Sequence, residues 1–209
     1  MRAKLIPGTL VLLAAVHVAG TVAPASAEQA PPAVGAADER LVYTIVPGSS
    51  RATFYAHATG HDFSGTTTDV RGHARFGSQG PVTDLSGEVR VGAADLDTGI
   101  GKRNEEMRRL LETEAHPDLV LRVRSLTMGN PAGAPPAAAK LDVELEVRGV
   151  RKPLRVPISL EAAQDAYVAR GEFPLDIRDF GIDPPRAMLF IRMDPAVRVE
   201  FEARFQRAH

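Results

Sequence analysis

The sequence predicts an antiparallel all-β domain, a barrel or a sandwich, carrying one short amphipathic helix. Three observations predict it. Apolar and polar side chains alternate with period two through most of 41–206, the repeat of a strand with one buried face. Turn-forming clusters separate the alternating runs, at Pro47-Gly48, at 77–81 and at 130–136. One segment alone, 102–112, switches to helical spacing.

The chain opens with Arg2 and Lys4, an apolar run from Leu10 to Val18 and the small residues Ala25-Ser26-Ala27. This order predicts a secretory signal peptide over 1–27, cut after Ala27. The run is shorter than the roughly 20 residues that span a bilayer, so no stable membrane anchor is expected. Residues 28–40 are small, proline-containing and without period, and read as a flexible leader. A single domain is expected over 41–206, and about 180 mature residues are enough for one sizeable core.

The strands follow in order. VYTIV at 42–46, ATFYAHA at 52–58, TTTDVRGHARF at 66–76, LSGEVRV at 85–91 and DLVLRVRSL at 118–126 read as strands. The alternation is sharpest at 141–147, where Leu141, Val143, Leu145 and Val147 interleave with Asp142, Glu144 and Glu146. It recurs at 154–160 and at 197–205, and Tyr167, Phe173, Leu175 and Ile177 share a parity over 165–178. Eight or nine strands result. Gly149 to Lys152 is a hairpin candidate, and Pro157, which cannot donate to a ladder, suggests an edge or a bulge.

Within 102–112, Met107, Leu110 and Leu111 fall at i, i+3 and i+4. Glu105 with Arg109, and Arg108 with Glu112, are spaced to pair along a helix. The helix follows Asp97-Thr98-Gly99, the tripeptide that carries the catalytic carboxylate of aspartic proteases. Those enzymes need two carboxylates sharing a proton and an apolar strand after the loop. Here the loop leads into KRNEEMRR, so Asp97 and Thr98 read instead as oxygens capping the first helical turn.

Composition excludes several classes. There is no cysteine, which rules out disulfides, thiolate metal sites and thiol-linked cofactors. Once Arg2 and Lys4 are removed, acidic residues slightly outnumber basic ones, and no basic patch with interleaved aromatics suggests nucleic acid. Neither a Ser-His-Asp arrangement, a phosphate-cradling glycine loop nor a carboxylate pair marks catalysis, and no enzyme activity or cofactor is expected. His57 and His61 share a face with Tyr55 if 52–61 is one extended strand, with His73 and His116 as further candidates for a metal. Residues four apart on a strand lie about 13 Å apart, too far for one metal unless the strand bends at Gly60. These histidines read as half-exposed surface groups.

The segment LDTGIGKRNEEMRRLLETEAHPDLVLRV (96–123) resembles the signature of the YceI-like family of lipid-binding proteins. FSGTTTDVRGHARF (63–76), the hairpin around Gly149-Val150-Arg151-Lys152-Pro153 and Asp179-Phe180-Gly181-Ile182 resemble further family motifs in the family's order. The resemblance covers about 41–206. It implies an eight-stranded, antiparallel, lipocalin-like β-barrel with one short helix beside it, exported to the periplasm or secreted. It also implies a long apolar ligand inside: a polyisoprenoid, a quinone tail or a fatty-acyl amphiphile.

The alternation is compatible with that ligand, because each methylene buried in a dry tube contributes roughly 0.8 kcal/mol. Candidate lining residues are Phe54, Val89, Val91, Leu121, Val123, Val143, Leu145, Val156, Ile158, Phe173, Leu175, Val199 and Phe201. Arg103, Asn104 and Met107, in the helix motif, are candidates for the mouth beside a polar head. Parity alone leaves open a solid barrel that works through its surface as a stress-linked interaction module. A homodimer is compatible with either reading.

Overall fold

The computed structural model describes residues 41–76, 85–129, 137–163, 166–187 and 191–208. The expected signal peptide and leader lie outside them. The described strands are β1 (Leu41–Ile45), β2 (Arg51–Ala58), β3 (His61–Thr67), β4 (Val70–Phe76) and β5 (Leu85–Gly92). After helix α1 (Gly101–Leu111) come β6 (Asp118–Met128), β7 (Ala137–Val147), β8 (Val150–Ala163) and β9 (Ala166–Asp176). A 3-10 turn (Ile177–Phe180), the short β10 (Arg186–Ala187) and β11 (Ile191–Arg207) complete the order. No helix among the described residues is long and apolar enough to cross a membrane.

Every pairing is antiparallel, and the ring β1–β4–β5–β6–β7–β8–β9–β11 closes back on β1. This is the expected closed barrel of eight strands. It carries more strand segments than the sequence suggested, for a definite reason. The stretch 66–76 is not one strand but breaks at Thr68-Asp69, where the Asp69 amide donates to Thr67 Oγ1 and Gly92 donates back to the Asp69 carbonyl. Below the break β4 pairs with β1 and β5, and above it β3 pairs with β2. One long strand, β11, serves both halves: Met193–Glu202 pair with β2, and Phe205–Arg207 pair with β1.

Two hairpins differ from expectation in register. Arg148 and Gly149 both have positive φ, 51° and 74°, the pair of conformations that matches a two-residue turn to strand twist. The turn is therefore Arg148-Gly149, not 149–152. Thr59-Gly60 makes a second reversal, with Gly60 at φ 86°. His57 consequently faces Asp62 across a hairpin, rather than His61 along one strand.

Pro157 lies within the barrel wall, but at a local edge. The β8–β9 ladder runs only from Ile158 to Ala163, so the half of β8 from Val150 to Pro157 has no β9 partner. The 3-10 turn packs against that half, and Phe180 and Ile182 are buried there.

Charged side chains on the outer face form cross-strand pairs. Arg122 meets Glu146 at 2.7 Å and Glu88 at 3.2 Å, Arg155 meets Asp142 at 2.7 Å, and Arg198 meets Glu172 at 2.9 Å. The inner face is apolar, with Leu126, Leu141, Val143, Leu145, Val156, Ile158 and Phe173 buried in one cluster.

Candidate ligand-binding site

The alternating strands point their apolar set at the barrel axis, and that axis is hollow. A cavity of about 190 Å³ runs through the lumen. Of the thirteen apolar candidates, Phe54, Val89, Val91, Leu121, Val123, Val143, Leu145, Val156, Ile158, Phe173, Val199 and Phe201 line it. Leu175 lies one level higher, on a second cavity of about 180 Å³ at the helix end. Leu96, Phe76, Leu119, Leu126, Leu141 and Tyr167 also line the lumen. Leu119 and Leu141 share parity with chosen neighbours and were readable from it. Leu126 has the opposite parity to Leu121 and Val123, because a bulge at Arg124 shifts the register between Val123 and Ser125.

Two glycines make room for two of the lining rings. Gly65 is paired with Phe54, and a Cβ there would lie 2.3 Å from Phe54 Cε1. Gly171 is paired with Phe201, and a Cβ there would lie 2.6 Å from the ring. In each pair the aromatic ring lies over the bare backbone of the glycine opposite.

The tube has distinct levels. At the end away from α1, the rings of Tyr43, Phe76 and Tyr167 meet at 5.4, 5.2 and 6.1 Å between centroids, and Phe76 and Tyr167 line the lumen there. At the other end Phe54, Leu96, Leu119 and Val199 border both cavities and form the waist between them. Above the waist, Met107, Leu110 and Leu111 of α1 face Leu175, Ile177, Phe180 and Ile182. The apolar face expected of the helix therefore roofs the mouth.

Three side chains hold the roof. Arg148, on the β7–β8 turn, donates to Glu112 at the end of α1 and to the Gly181 carbonyl after the 3-10 turn. Arg108 Nε donates to the Ala94 carbonyl at 2.9 Å. Asn104, buried at 8% exposure, turns back from α1 onto the preceding corner. Its Oδ1 accepts from the Thr98 amide at 2.9 Å and from Thr98 Oγ1 at 2.6 Å, and its Nδ2 donates to Asp97 Oδ1 at 2.7 Å.

These contacts correct several expectations. Asp97 and Thr98 do not cap α1: the N-cap is Ile100, with no side-chain bond. Gly99 at φ 75° turns the chain so that the Asp97 carboxylate accepts from Gly99 and Asn104 instead. The Asn104 bond, then the Gly99 amide, hold the Asp97 carboxyl below its ordinary range, so it stays ionised. Asn104 borders neither cavity, because its amide is consumed by the corner. Glu106, not Glu105, pairs with Arg109 at 2.5 Å, and Glu112 pairs with Arg148 because the helix has ended and its φ is 52°.

Arg103 and Met107 do border the mouth. The Arg103 guanidinium sits 4.3 Å above the Phe63 ring, and Phe63 meets Phe54 edge to face at 6.1 Å. The histidines are dispersed. His57 Nδ1 meets Asp62 at 2.5 Å, which raises its pKa, while His116 lies against Gly149. Among the described residues no three His, Cys, Asp or Glu side chains converge as a metal would require.

A closed antiparallel barrel of eight strands, hollow along its axis and roofed by one helix, places the chain among the lipocalin-like barrels. The chain belongs to the YceI-like family, whose domain it matches over residues 43–205. Solved structures share the fold. BcnA of Burkholderia cenocepacia superposes with a TM-score of 0.64 at 13% identity, over 77% of this chain and 98% of that one. A polyisoprenoid binding domain from Saccharophagus degradans, implicated in plant cell wall breakdown, gives 0.62 at 13% identity, over 80% and 99%. A Campylobacter jejuni YCEI protein gives 0.54 at 13% identity, over 69% and 84%. Comparison with curated proteins gives no significant match.

Proposed function

We propose that the protein is an exported carrier that holds the apolar chain of a lipid in the barrel lumen, and that it acts by binding rather than by catalysis. The single observation that carries this reading is the hollow axis. Its lining is almost wholly apolar, as at Val143, Val156 and Phe173, while ion pairs such as Arg122–Glu146 and Arg155–Asp142 lie on the outer wall. Such a space has little affinity for a polar solute and offers a hydrocarbon tail contact on all sides. Each methylene entering it contributes roughly 0.8 kcal/mol, so a chain of ten or more binds with few polar contacts. The reading agrees with the polyisoprenoid-binding character of the Saccharophagus domain. Export agrees with the signal-peptide pattern of residues 1–27.

The test is extraction of the purified protein with organic solvent, followed by mass spectrometry. A lipid with an isoprenoid or acyl chain is expected at close to one equivalent, and the emptied protein should take it up again. Protein that yields no lipid, and takes up neither prenyl nor acyl probes, would overturn the reading.

A further inference from the structure

We propose that the site is built for a single-chain amphiphile of about fifteen carbons with a small anionic head, the head lying at Arg103 and the tail passing the Phe54 waist into the lumen. This rests on the lipid-carrier reading and narrows it by size and by charge.

The size follows from the two cavities. They share Phe54, Leu96, Leu119 and Val199 and so lie end to end. A dry cavity of about 150 Å³ accommodates benzene, with six carbons. In the same proportion, about 190 Å³ of lumen and about 180 Å³ of mouth take about fifteen carbons together. Phe76 and Tyr167 line that path at the end away from the helix.

The charge follows from how the ionisable groups of the mouth are used. Two of them border it, Arg103 and Glu106. Glu106 is already neutralised by two bonds from Arg109, which hold its carboxyl below the ordinary range. Arg103 has no carboxylate within ion-pair distance among the described residues. It lies over the face of Phe63. A guanidinium carries five donors in a planar fork matched to a carboxylate or phosphate. Resting on a ring, it keeps those donors along its edge. The mouth therefore presents one uncompensated cation beside an apolar tube. A neutral head would leave it so, whereas an anionic head would pair with it. The same Phe63 leans on Phe54, so the residue that positions the cation also touches the waist through which the tail passes.

The experiment is calorimetric titration of delipidated protein with myristate, tetradecanol, octanoate and a forty-carbon polyprenol, on the native chain and on Arg103→Gln and Arg103→Lys. Thermal melts confirm that the variants fold. Myristate is expected to bind about tenfold or more tightly than tetradecanol, and octanoate far more weakly than myristate. Arg103→Gln should abolish the preference for myristate over tetradecanol while leaving tetradecanol binding in place. Arg103→Lys should keep most of the preference. Equal binding of myristate and tetradecanol to the native chain, or a preference that survives Arg103→Gln, overturns the head assignment. Tight binding of the polyprenol with none of myristate overturns the size assignment and leaves the carrier reading intact. Binding of none of the four overturns the carrier reading itself.

Discussion

Asn104 and Asp97 are joined by a 2.7 Å hydrogen bond from Nδ2 to Oδ1, and the same Asn104 amide takes two bonds from Thr98 through its oxygen. One buried side chain thus fastens the roof helix to the corner before it. Asn104→Ala leaves the Thr98 donors unpaired and removes one of the two hydrogen bonds to Asp97 Oδ1, a loss of about 1–3 kcal/mol. The expected result is a lower Tm together with faster hydrogen exchange confined first to 97–111. Exchange that rises uniformly across the barrel would place the role of Asn104 elsewhere. Asn104→Asp should be worse, because it sets a second carboxylate against the ionised Asp97.

The two faces of β7 predict opposite outcomes for substitutions on the same strand. Leu145 is buried and lines the lumen, whereas Lys140 is exposed on the outer set. Leu145→Arg buries an unpaired cation and should cost more than about 3 kcal/mol, or empty the lumen of ligand. Lys140→Gln should change stability by about 0.5 kcal/mol or less. Denaturant unfolding of both variants measures the contrast, and comparable losses would mean that the faces are misassigned.

The Gly65–Phe54 pair predicts coupling. Gly65→Ala forces a Cβ against the Phe54 ring, a clash that costs about 1–3 kcal/mol. In a Phe54→Ala background the same change should cost less, since the ring is gone and only the Thr98 methyl, at 3.1 Å, remains close. A double-mutant cycle reads the difference. An additive cycle would show that the glycine is required for another reason.

The outer wall should show a pH signature at Glu146. Arg122, then Arg151, hold its carboxyl below the ordinary value of 4.5. A folded pKa lowered in this way adds stability that is present above the unfolded value and is lost as pH falls through the folded one. Glu146→Gln should therefore cost about 1 kcal/mol or less at neutral pH, and the gap should close in strong acid. A gap that is constant with pH would mean that the charge of Glu146 contributes nothing.

Much of this was legible in the residues themselves. Period-two alternation carries the inner and outer faces, because a strand side chain can point only one of two ways. It placed Val143, Leu145, Val156 and Phe201 on the lumen without any knowledge of pairing. It failed where pairing overrides period: the bulge at Arg124 that turns Leu126 inward, and the break at Thr68-Asp69 that makes two strands of one run. The helix motif was read at the right place, but its residues divide by chemistry. Arg103 and Met107 reach the mouth, while the Asn104 amide is spent on the corner. Spacing alone cannot separate these roles, since all three stand within one and a half turns. Gly65 and Gly171 were silent in sequence because their role depends on which residue lies opposite.

The most direct test of the hollow barrel is a crystal structure grown with a fourteen-carbon fatty acid brominated at its terminal carbon. The account predicts a bromine anomalous peak inside the ring of strands, among side chains such as Val143, Val156 and Phe173. A bromine peak on the outer wall, or a lumen closed by its own side chains with the acid excluded, would contradict it.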